Sequence, residues 1–505
     1  MNLKRATTIA PALAYVLLTA SFANASKPNV LFIVCDDLNT HVSTSGYPHI
    51  QTPAFDQLAE SGVTFRRAYC QYPVCGPSRA SFLHGLYPQS TGVLDNKTDI
   101  RDVRPGTVSM PQRFKESGYW TAAVGKVFHN EKFDHGAVAW NETLRFDNEE
   151  MPMVTPIRQS FEAQHGSIQS GQARKLWREF YPSIATQTKG QKPGYGPSGL
   201  RDDQHKDGKN AEQIRTWLRT KAYGDKPFFM AMGIHKPHGP FLAPDEYFEL
   251  YPKSGLQFTP ASLEFWNHTP KLAQTNRYLG FGFQFGVEND DLRREYMQAY
   301  HACISFIDAQ IGSVLAELQR SHQADNTIVV LTSDHGYLLG EKFMWGKVML
   351  FETCDRVPLI IRVPESLKDG FAVAGAQCDG LVELIDLFPT LAELCGVTPP
   401  EEIQGTSLVP MLKNTALAGK DVAYTVVTRG SKLGKAIRTT RHHYTWWPTG
   451  EELYDLLEDP NENTNLAEST ENRQLIETMR ARLARAEAQA KSQYSIDSNH
   501  ASIIE

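Results

Sequence analysis

Several apolar runs in this chain end in residues capable of acid–base or ligand chemistry. Asp36 and Asp37 close "PNVLFIVCDD", Lys126 and His129 lie in "VGKVFH", His235 and His238 in "HKPH", and Asp334 and His335 in "TSDHG". Three carboxylates brought together repel one another unless a cation neutralises them. Their hard oxygens suit Ca2+ or Mg2+, and His335 beside them leaves room for a transition metal. The competing reading is that these aspartates only cap turns and helices. A second set is cationic: Arg79, Lys126, His129, His235, His238 and Lys347. The fork of a guanidinium matches tetrahedral oxyanions, and a helix start near Ser78 adds backbone N–H groups. A metal faced by such cations describes a site for phosphate or sulfate esters, and these residues alone leave both open.

Cys75 stands in "YPVCGPSRASFLHG", one turn before Arg79. Its type allows a nucleophile, a metal ligand, half of a disulfide or a small core residue. A thiolate is a poor match for a hard cation. The other cysteines are Cys35, Cys70, Cys303, Cys354, Cys378 and Cys395, making seven in all. The odd number and irregular spacing define no disulfide framework, and no CxxC pair suggests a zinc knuckle.

Such residues need a scaffold that brings them together. "PNVLFIVC" is apolar throughout, as expected of a strand buried on both faces of a parallel sheet. Further strands are expected at 63–69, 119–126, 227–238, 326–336 and 357–364. Helices are expected at 52–62, from "GPSRASFLHG" with Pro77 in its first turn, and at 109–118, 290–321 and 381–396. This alternation indicates an α/β fold with a mainly parallel sheet flanked by helices, whose ligands bind beyond the carboxyl ends of the strands. Around residues 396–420 the rhythm changes to short β-rich runs, "VAYTVVT", "GKAIRTT" and "HHYTWWP", followed by a charged amphipathic helix over 468–491. The expected organisation is therefore a main domain over 26–410 and a smaller subdomain of antiparallel sheet plus helix over 411–505. The stretch 140–210, weakly periodic and rich in Gly, Pro, Ser and Gln, is expected to be a surface insertion.

Among the 505 residues, 41% are hydrophobic and 21% charged, enough to bury a core, and the net charge of -6 leaves no basic footprint for nucleic acid. "MNLKR", a short apolar run and "ANA" ending at Ala25 form a secretory signal-peptide pattern over residues 1–25. The alternative is a retained membrane anchor. The expectation is an exported protein, periplasmic or secreted, whose mature form is not membrane-embedded.

"CGPSR" resembles the signature of type I sulfatases. "PNVLFIVCDDL", "CGPSRASFLHGLYP", "GYWTAAVGKVFH", "HKPHGPF", "TSDHGYLLGE" and "ELYDLLEDPNENTNL" resemble segments of that family in the family's order. "VGKVFH", "HKPHGPF" and the His after "SD" are most similar to iduronate-2-sulfatase-like members. Many other sulfatases have Asn where His335 stands and a shorter Lys-to-His spacing than Lys126 to His129.

The resemblance implies an alkaline-phosphatase/sulfatase-like fold and a Cys75 oxidised by a maturation enzyme to Cα-formylglycine, which hydrates to a geminal diol. It implies one Ca2+ held by Asp36, Asp37, Asp334 and His335 with the modified Cys75, and Arg79 holding the hydrate. Lys126, His129, His238 and Lys347 would surround the sulfate, with Lys342 a competitor for the place of Lys347 and His235 behind the direct contacts. One diol hydroxyl would attack sulfur, His238 would protonate the departing sugar oxygen, and His129 would help the second hydroxyl expel sulfate. The implied substrate is a sulfated oligo- or polysaccharide. A 2-O-sulfated uronic acid of a glycosaminoglycan or ulvan is one reading, and a sulfated galactan such as carrageenan the other. A phosphate or phosphonate ester hydrolase of the same superfamily is the rival activity, and a non-catalytic sulfoglycan-binding protein the rival class. Arg201, His205 and Arg277 are candidates for contacting a carboxylate or second sulfate, against a plain surface role.

Overall fold

In the computed structural model Asn29–Asp36 forms the first strand, β1, with every residue buried. Its side chains alternate between two cores, as strand geometry requires. Leu31, Ile33 and Cys35 pack with Ile214, Trp217, Ile304 and Ile307, from the helices Lys206–Thr220 and Asp290–Arg320. Val30, Phe32 and Val34 pack with Phe82, Phe114 and Phe388, from the helices Cys75–His84, Met110–Glu116 and Leu387–Leu394. Burial on both faces is why this strand reads as an unbroken apolar run. The structure describes residues 27–147, 154–168, 171–180, 194–258, 263–275 and 290–491. The expected leader over 1–25 and Arg277 lie outside them.

The strands that follow are β2 (Val63–Tyr69), β3 (Trp120–Gly125), β4 (Glu142–Leu144), β5 (Tyr195–Pro197), β6 (Phe228–Pro237), β7 (Phe241–Ala243), β8 (Thr327–Ser333), β9 (Leu338–Leu339), β10 (Trp345–Gly346), β11 (Arg356–Arg362) and β12 (Ala376–Glu383). Eight form one sheet in the order β12-β2-β11-β8-β1-β6-β3-β4, while β5 pairs with β7 and β9 with β10. Within the large sheet only β11 runs against its neighbours. The carboxyl ends of β8, β1, β6 and β3, adjacent in space, therefore open on one edge. Asp334, Asp36, the His235–His238 segment and Lys126 are carried there from positions far apart in the chain. β2 points the same way and delivers Cys75 to that edge, and Lys347 lies on the chain returning to start β11.

The second sheet is antiparallel in the order β13-β14-β15-β16, made of Ala423–Arg429, Lys432–Arg438, His442–Trp447 and Gly450–Asp455, and is followed by the helix Arg473–Lys491. It is stitched to the segment leading into Cys75. Val426 N donates to Gln71 O at 3.0 Å, Thr425 Oγ1 to Cys70 O at 2.6 Å, and Thr428 N to Tyr72 Oη at 2.9 Å.

Two expectations need correction. Residues 381–396 are not one helix: Leu381–Glu383 close β12, a 3-10 turn covers Leu384–Asp386, and the helix starts at Leu387. Pairing of Leu381–Glu383 with Arg67–Tyr69 of β2 overrides a continuous apolar pattern that suits strand or helix equally. The stretch 140–210 is not wholly a surface excursion. β4 extends the large sheet, and Phe161 and Trp177, on helices Thr155–His165 and Gly171–Phe180, pack at 5.0 Å beside Leu242. Residues 148–153, 169–170 and 181–193 of that stretch lie outside the described residues.

Candidate active site

Cys75 is the first residue of a ten-residue helix in which every residue is buried. The helix N-terminus has no side-chain cap from Val74. Instead Asn96, from a separate loop, accepts the N–H of Gly76 at 2.8 Å. A Cβ at position 76 would lie 2.7 Å from Asn96 Oδ1, so Gly76 permits that approach. Pro77 sits in the first turn, where a missing N–H costs nothing. Ser78 Oγ donates to Asp334 O at 2.5 Å, and Gly85, left-handed at φ 67, ends the helix.

The Cys75 sulfur has three polar neighbours: Lys347 Nζ at 3.0 Å, Asp36 Oδ1 at 3.2 Å and His335 Nε2 at 3.4 Å. Burial and Asp36 push its thiol up, Lys126 and Lys347 pull it down, and the balance lies below the ordinary value. Asp36 accepts from Lys126 Nζ at 2.5 Å and Asp37 from Lys347 Nζ at 2.6 Å. Burial alone would raise both carboxyls. Lys126, His238 and Arg79 hold Asp36 well below its usual range, and Lys347 and His238 hold Asp37 down.

Arg79 is fully buried. Its Nε donates to Asp334 Oδ2 at 2.8 Å, and its Nη atoms reach the carbonyls of Lys126, Val127 at 3.0 Å and Cys35 at 3.4 Å. One guanidinium thus ties the ends of β1, β3 and β8 to the Cys75 helix. Asp37 adopts a left-handed φ of 66, uncommon outside glycine and about 1–3 kcal/mol above ordinary conformers. That turn is held by Asp37 N donating to Asp334 Oδ1 at 3.2 Å and by Tyr300 Oη donating to Asp37 O at 2.6 Å.

The histidines differ in setting. His335 Nδ1 donates to Gly336 O at 2.9 Å, and its Nε2 faces Cys75 and, at 3.4 Å, Asp37 Oδ1. His238 is half-exposed, with Nδ1 on Gly239 O at 2.7 Å and Nε2 4.0 Å from Asp37 Oδ2. His129 is pulled down to about 4 by burial, Lys126 and Arg79, so it is neutral near pH 7. His235 lies near the end of β6, its Nδ1 3.5 Å from Asp207 Oδ1.

Ligand atoms of Asp36, Cys75, Asp334 and His335 lie within 4.8 Å of one another, as do those of Asp36, Asp37, Cys75 and His238. Buried carboxylates with one imidazole nitrogen turned toward them fit a divalent cation that prefers oxygen and tolerates one nitrogen. Lys342, the competitor for Lys347, points away: its ammonium reaches Asn461 O and lies between the Phe265 and Phe351 rings, 4.9 and 5.2 Å from their centroids. Arg201 pairs on the surface with Asp203 at 3.0 Å. His205 is not a surface residue; it is buried against Ser198 Oγ at 2.8 Å and Phe306. All seven cysteines are buried, and none is joined in a disulfide. Asn96, Tyr300 and the Ser78 hydroxyl support the site without announcing themselves in sequence. Tyr300 in particular falls on the apolar face of a long helix and reads as core.

A family model described as "Sulfatase" matches residues 28–397, a span that holds every member of this cluster. The chain belongs to the sulfatase family. A second model, "N-sulphoglucosamine sulphohydrolase, C-terminal", matches residues 340–489 of this sulfatase. The protein is 34% identical over 488 residues to a sulfatase of Formosa agariphila, covering 93% of this chain and 89% of the relative. It is 33% identical over 405 residues to the iduronate 2-sulfatase of Mus musculus, covering 74% and 69%. Among solved structures, the phosphonate monoester hydrolase of Agrobacterium radiobacter superposes with a TM-score of 0.73 at 22% identity, covering 92% and 96% of the two chains. That likeness shows the shared fold, a mainly parallel sheet between helices with a smaller antiparallel subdomain. No helix among the described residues is long and apolar enough to cross a membrane.

Proposed function

We propose that this sulfatase is an exported enzyme that removes O-sulfate from a sulfated carbohydrate, using a nucleophile made from Cys75. The observation that carries the reading is the convergence of Lys347, Asp36 and His335 on one buried sulfur. Cys75 Sγ stands where the oxygens of a hydrated Cα-formylglycine would sit, made there by a separate maturation enzyme. Once formed, that group supplies a geminal diol, one hydroxyl to attack sulfur and a second to release sulfate afterwards. Asp36, Asp37, Asp334 and His335 would hold a Ca2+ ion, which supplies charge neutralisation at the attacking oxygen.

The remaining work falls to the chain's own side chains. Arg79 fixes residue 75 against the ends of three strands. Lys126 and Lys347, each already on a carboxylate at 2.5 and 2.6 Å, are placed to take sulfuryl oxygens and to stabilise the charge that grows on them. His238 reaches the site from its half-exposed side and delivers a proton to the leaving sugar oxygen from Nε2. His129, neutral near pH 7, accepts a proton on the other side. We assign catalysis to the domain over 26–410 and a supporting part to 411–505.

Similarity to the mouse iduronate 2-sulfatase supports a 2-O-sulfated uronic acid, of a glycosaminoglycan or of ulvan, as substrate. A sulfated galactan such as carrageenan is the alternative. The test is sulfate release from a panel of sulfated uronic-acid and galactan oligosaccharides, run beside matched phosphate and phosphonate esters. Sulfate release from a uronic-acid member is the expected result. Faster turnover of the phosphorus esters would overturn the sulfatase reading, and release only from galactans would overturn the substrate.

A further inference from the structure

We propose that Asp207 is a positioning residue for this reaction: its carboxylate holds a two-residue bulge in β6 that aims His238 at the reaction centre. The inference rests on His238 being the proton donor.

The parallel ladder between β1 and β6 runs in register from Val30↔Phe229 to Val34↔Gly233 and then jumps to Asp36↔Pro237. Two residues pass on β1 while four pass on β6. On the other side, β3 pairs with β6 only as far as Gly125↔Gly233. His235 and Lys236 thus fall in the irregular part of the ladder, at the point where the chain swings toward the site. A buried N–H deprived of its acceptor costs about 1–3 kcal/mol. Asp207 takes both: Oδ1 accepts from His235 N and Oδ2 from Lys236 N, each at 2.9 Å.

Asp207 is 1% exposed and occupies the second position of the helix Lys206–Thr220, where a negative charge is favoured. Asn210, one turn on, donates to Asp207 Oδ1 at 3.1 Å and to Gly233 O at 3.4 Å. Gly233 O also accepts the N–H of Lys126 at 2.8 Å. The bracket therefore reaches the ends of β3 and β6 together. Beyond the bulge the chain folds on itself. His238 N donates to His235 O at 2.9 Å, Lys236 Nζ to Pro240 O at 2.6 Å, and His238 Nδ1 to Gly239 O at 2.7 Å. The result is Nε2 of His238 pointing at Asp37. Bulges next to active sites commonly re-aim a side chain in this way. Burial of Asp207 opposes its charge, but His235 and Lys206 hold its carboxyl below the usual value, so both oxygens stay acceptors.

Asp207→Asn keeps the shape and removes one acceptor. Amide hydrogen exchange of the 233–240 segment should speed up in this variant while exchange in β1 and β8 stays unchanged. The kcat for a carbohydrate sulfate should fall about 30- to 100-fold, and that for an activated aryl sulfate, which needs no proton, less than about 5-fold. In a His238→Ala background the Asp207→Asn change should add almost nothing on the carbohydrate ester. Unchanged exchange, equal losses on both esters, or additive losses with His238→Ala would each overturn the proposal. If Asp207→Asn does not fold, Asn210→Ala, which keeps both acceptors, should give the same pattern at smaller amplitude; a uniform loss there overturns it equally. If the parent enzyme releases sulfate from no substrate, the proposed function fails, and the exchange measurement alone decides whether Asp207 holds the bulge.

Discussion

The ammonium of Lys347 lies 3.0 Å from the sulfur of Cys75 and 2.6 Å from a carboxylate oxygen of Asp37. A cation so placed can serve residue 75 and an incoming anion at once. Lys342, five residues earlier, is buried between two aromatic rings. Lys347→Ala should lower kcat/KM for a sulfate ester by at least about 100-fold with little change in thermal unfolding. Lys342→Ala should do the reverse, costing roughly 1–3 kcal/mol of stability while leaving the activity of folded enzyme near normal. Steady-state kinetics beside thermal melts separate the two, and an exchange of these phenotypes would refute the assignment.

The setting of Cys75 predicts a modified residue in active enzyme. The peptide Ala68–Arg79 should show the mass of an aldehyde or its hydrate at position 75, in a fraction that tracks specific activity. Cys75→Ala should fold normally and release no sulfate. Full activity from protein whose residue 75 is entirely thiol would end the formylglycine reading.

If His335 is a cation ligand, as proposed, binding should depend on pH. Burial opposes its charge, but Asp334 and Cys75 outweigh burial and raise its pKa to about 9, against an ordinary 6.5. In chelator-treated protein whose residue 75 is still a thiol, this pairing contributes stability that is complete below about 6.5 and is lost as pH rises through about 9. A cation that uses the Nε2 lone pair must displace that proton, so its affinity should fall by up to about tenfold for each pH unit below 9. Calorimetric titration with Ca2+ in buffers of different ionisation enthalpy should register release of close to one proton at pH 7. Binding with no proton release would remove His335 from the ligand set.

Glu452 lies deep in the small sheet, where its oxygens accept from Trp447 Nε1 at 2.9 Å and Tyr454 Oη at 2.8 Å. Burial is the largest influence on it and raises its pKa from 4.5 to about 7. The folded state therefore holds this proton more tightly than the unfolded chain, and stability attributable to Glu452 rises as pH falls from about 7 to about 4.5. Glu452→Gln, whose amide can still accept from Trp447 and donate to Tyr454, should be neutral or stabilising by on the order of 2–3 kcal/mol at pH 8. It should also flatten that part of the pH profile, as denaturant unfolding at pH 5 and pH 8 would reveal. A large loss of stability at pH 8 would show that the charge itself is needed.

Much of the fold was legible because strands buried on both faces must be apolar along their whole length, and β1 and β8 advertise themselves by that rule. The ambiguous segment was Leu381–Cys395, where a continuous apolar pattern cannot separate strand from helix until β2 supplies ladder partners. Among site residues, those at the ends of apolar runs were visible: Asp36, Asp37, Lys126, His238, Asp334 and His335. Asp207 was not, since an aspartate early in a helix looks like an ordinary response to the helix dipole.

The sequence by itself determined the chemical inventory: carboxylates, cations and histidines placed just beyond strands, and the "CGPSR" stretch that ties Cys75 to the sulfatases. Local pattern suffices for this because strand period and turn chemistry are set within a few residues. Only the tertiary structure decided which members of that inventory meet. Sheet order put β8, β1, β6 and β3 side by side. The left-handed turn at Asp37 and the bulge before His238 set the directions of two side chains. Packing sent Lys347 to the sulfur, Lys342 between aromatic rings and His205 into the core. Those outcomes depend on contacts between segments separated by tens to hundreds of residues, and no local pattern carries them.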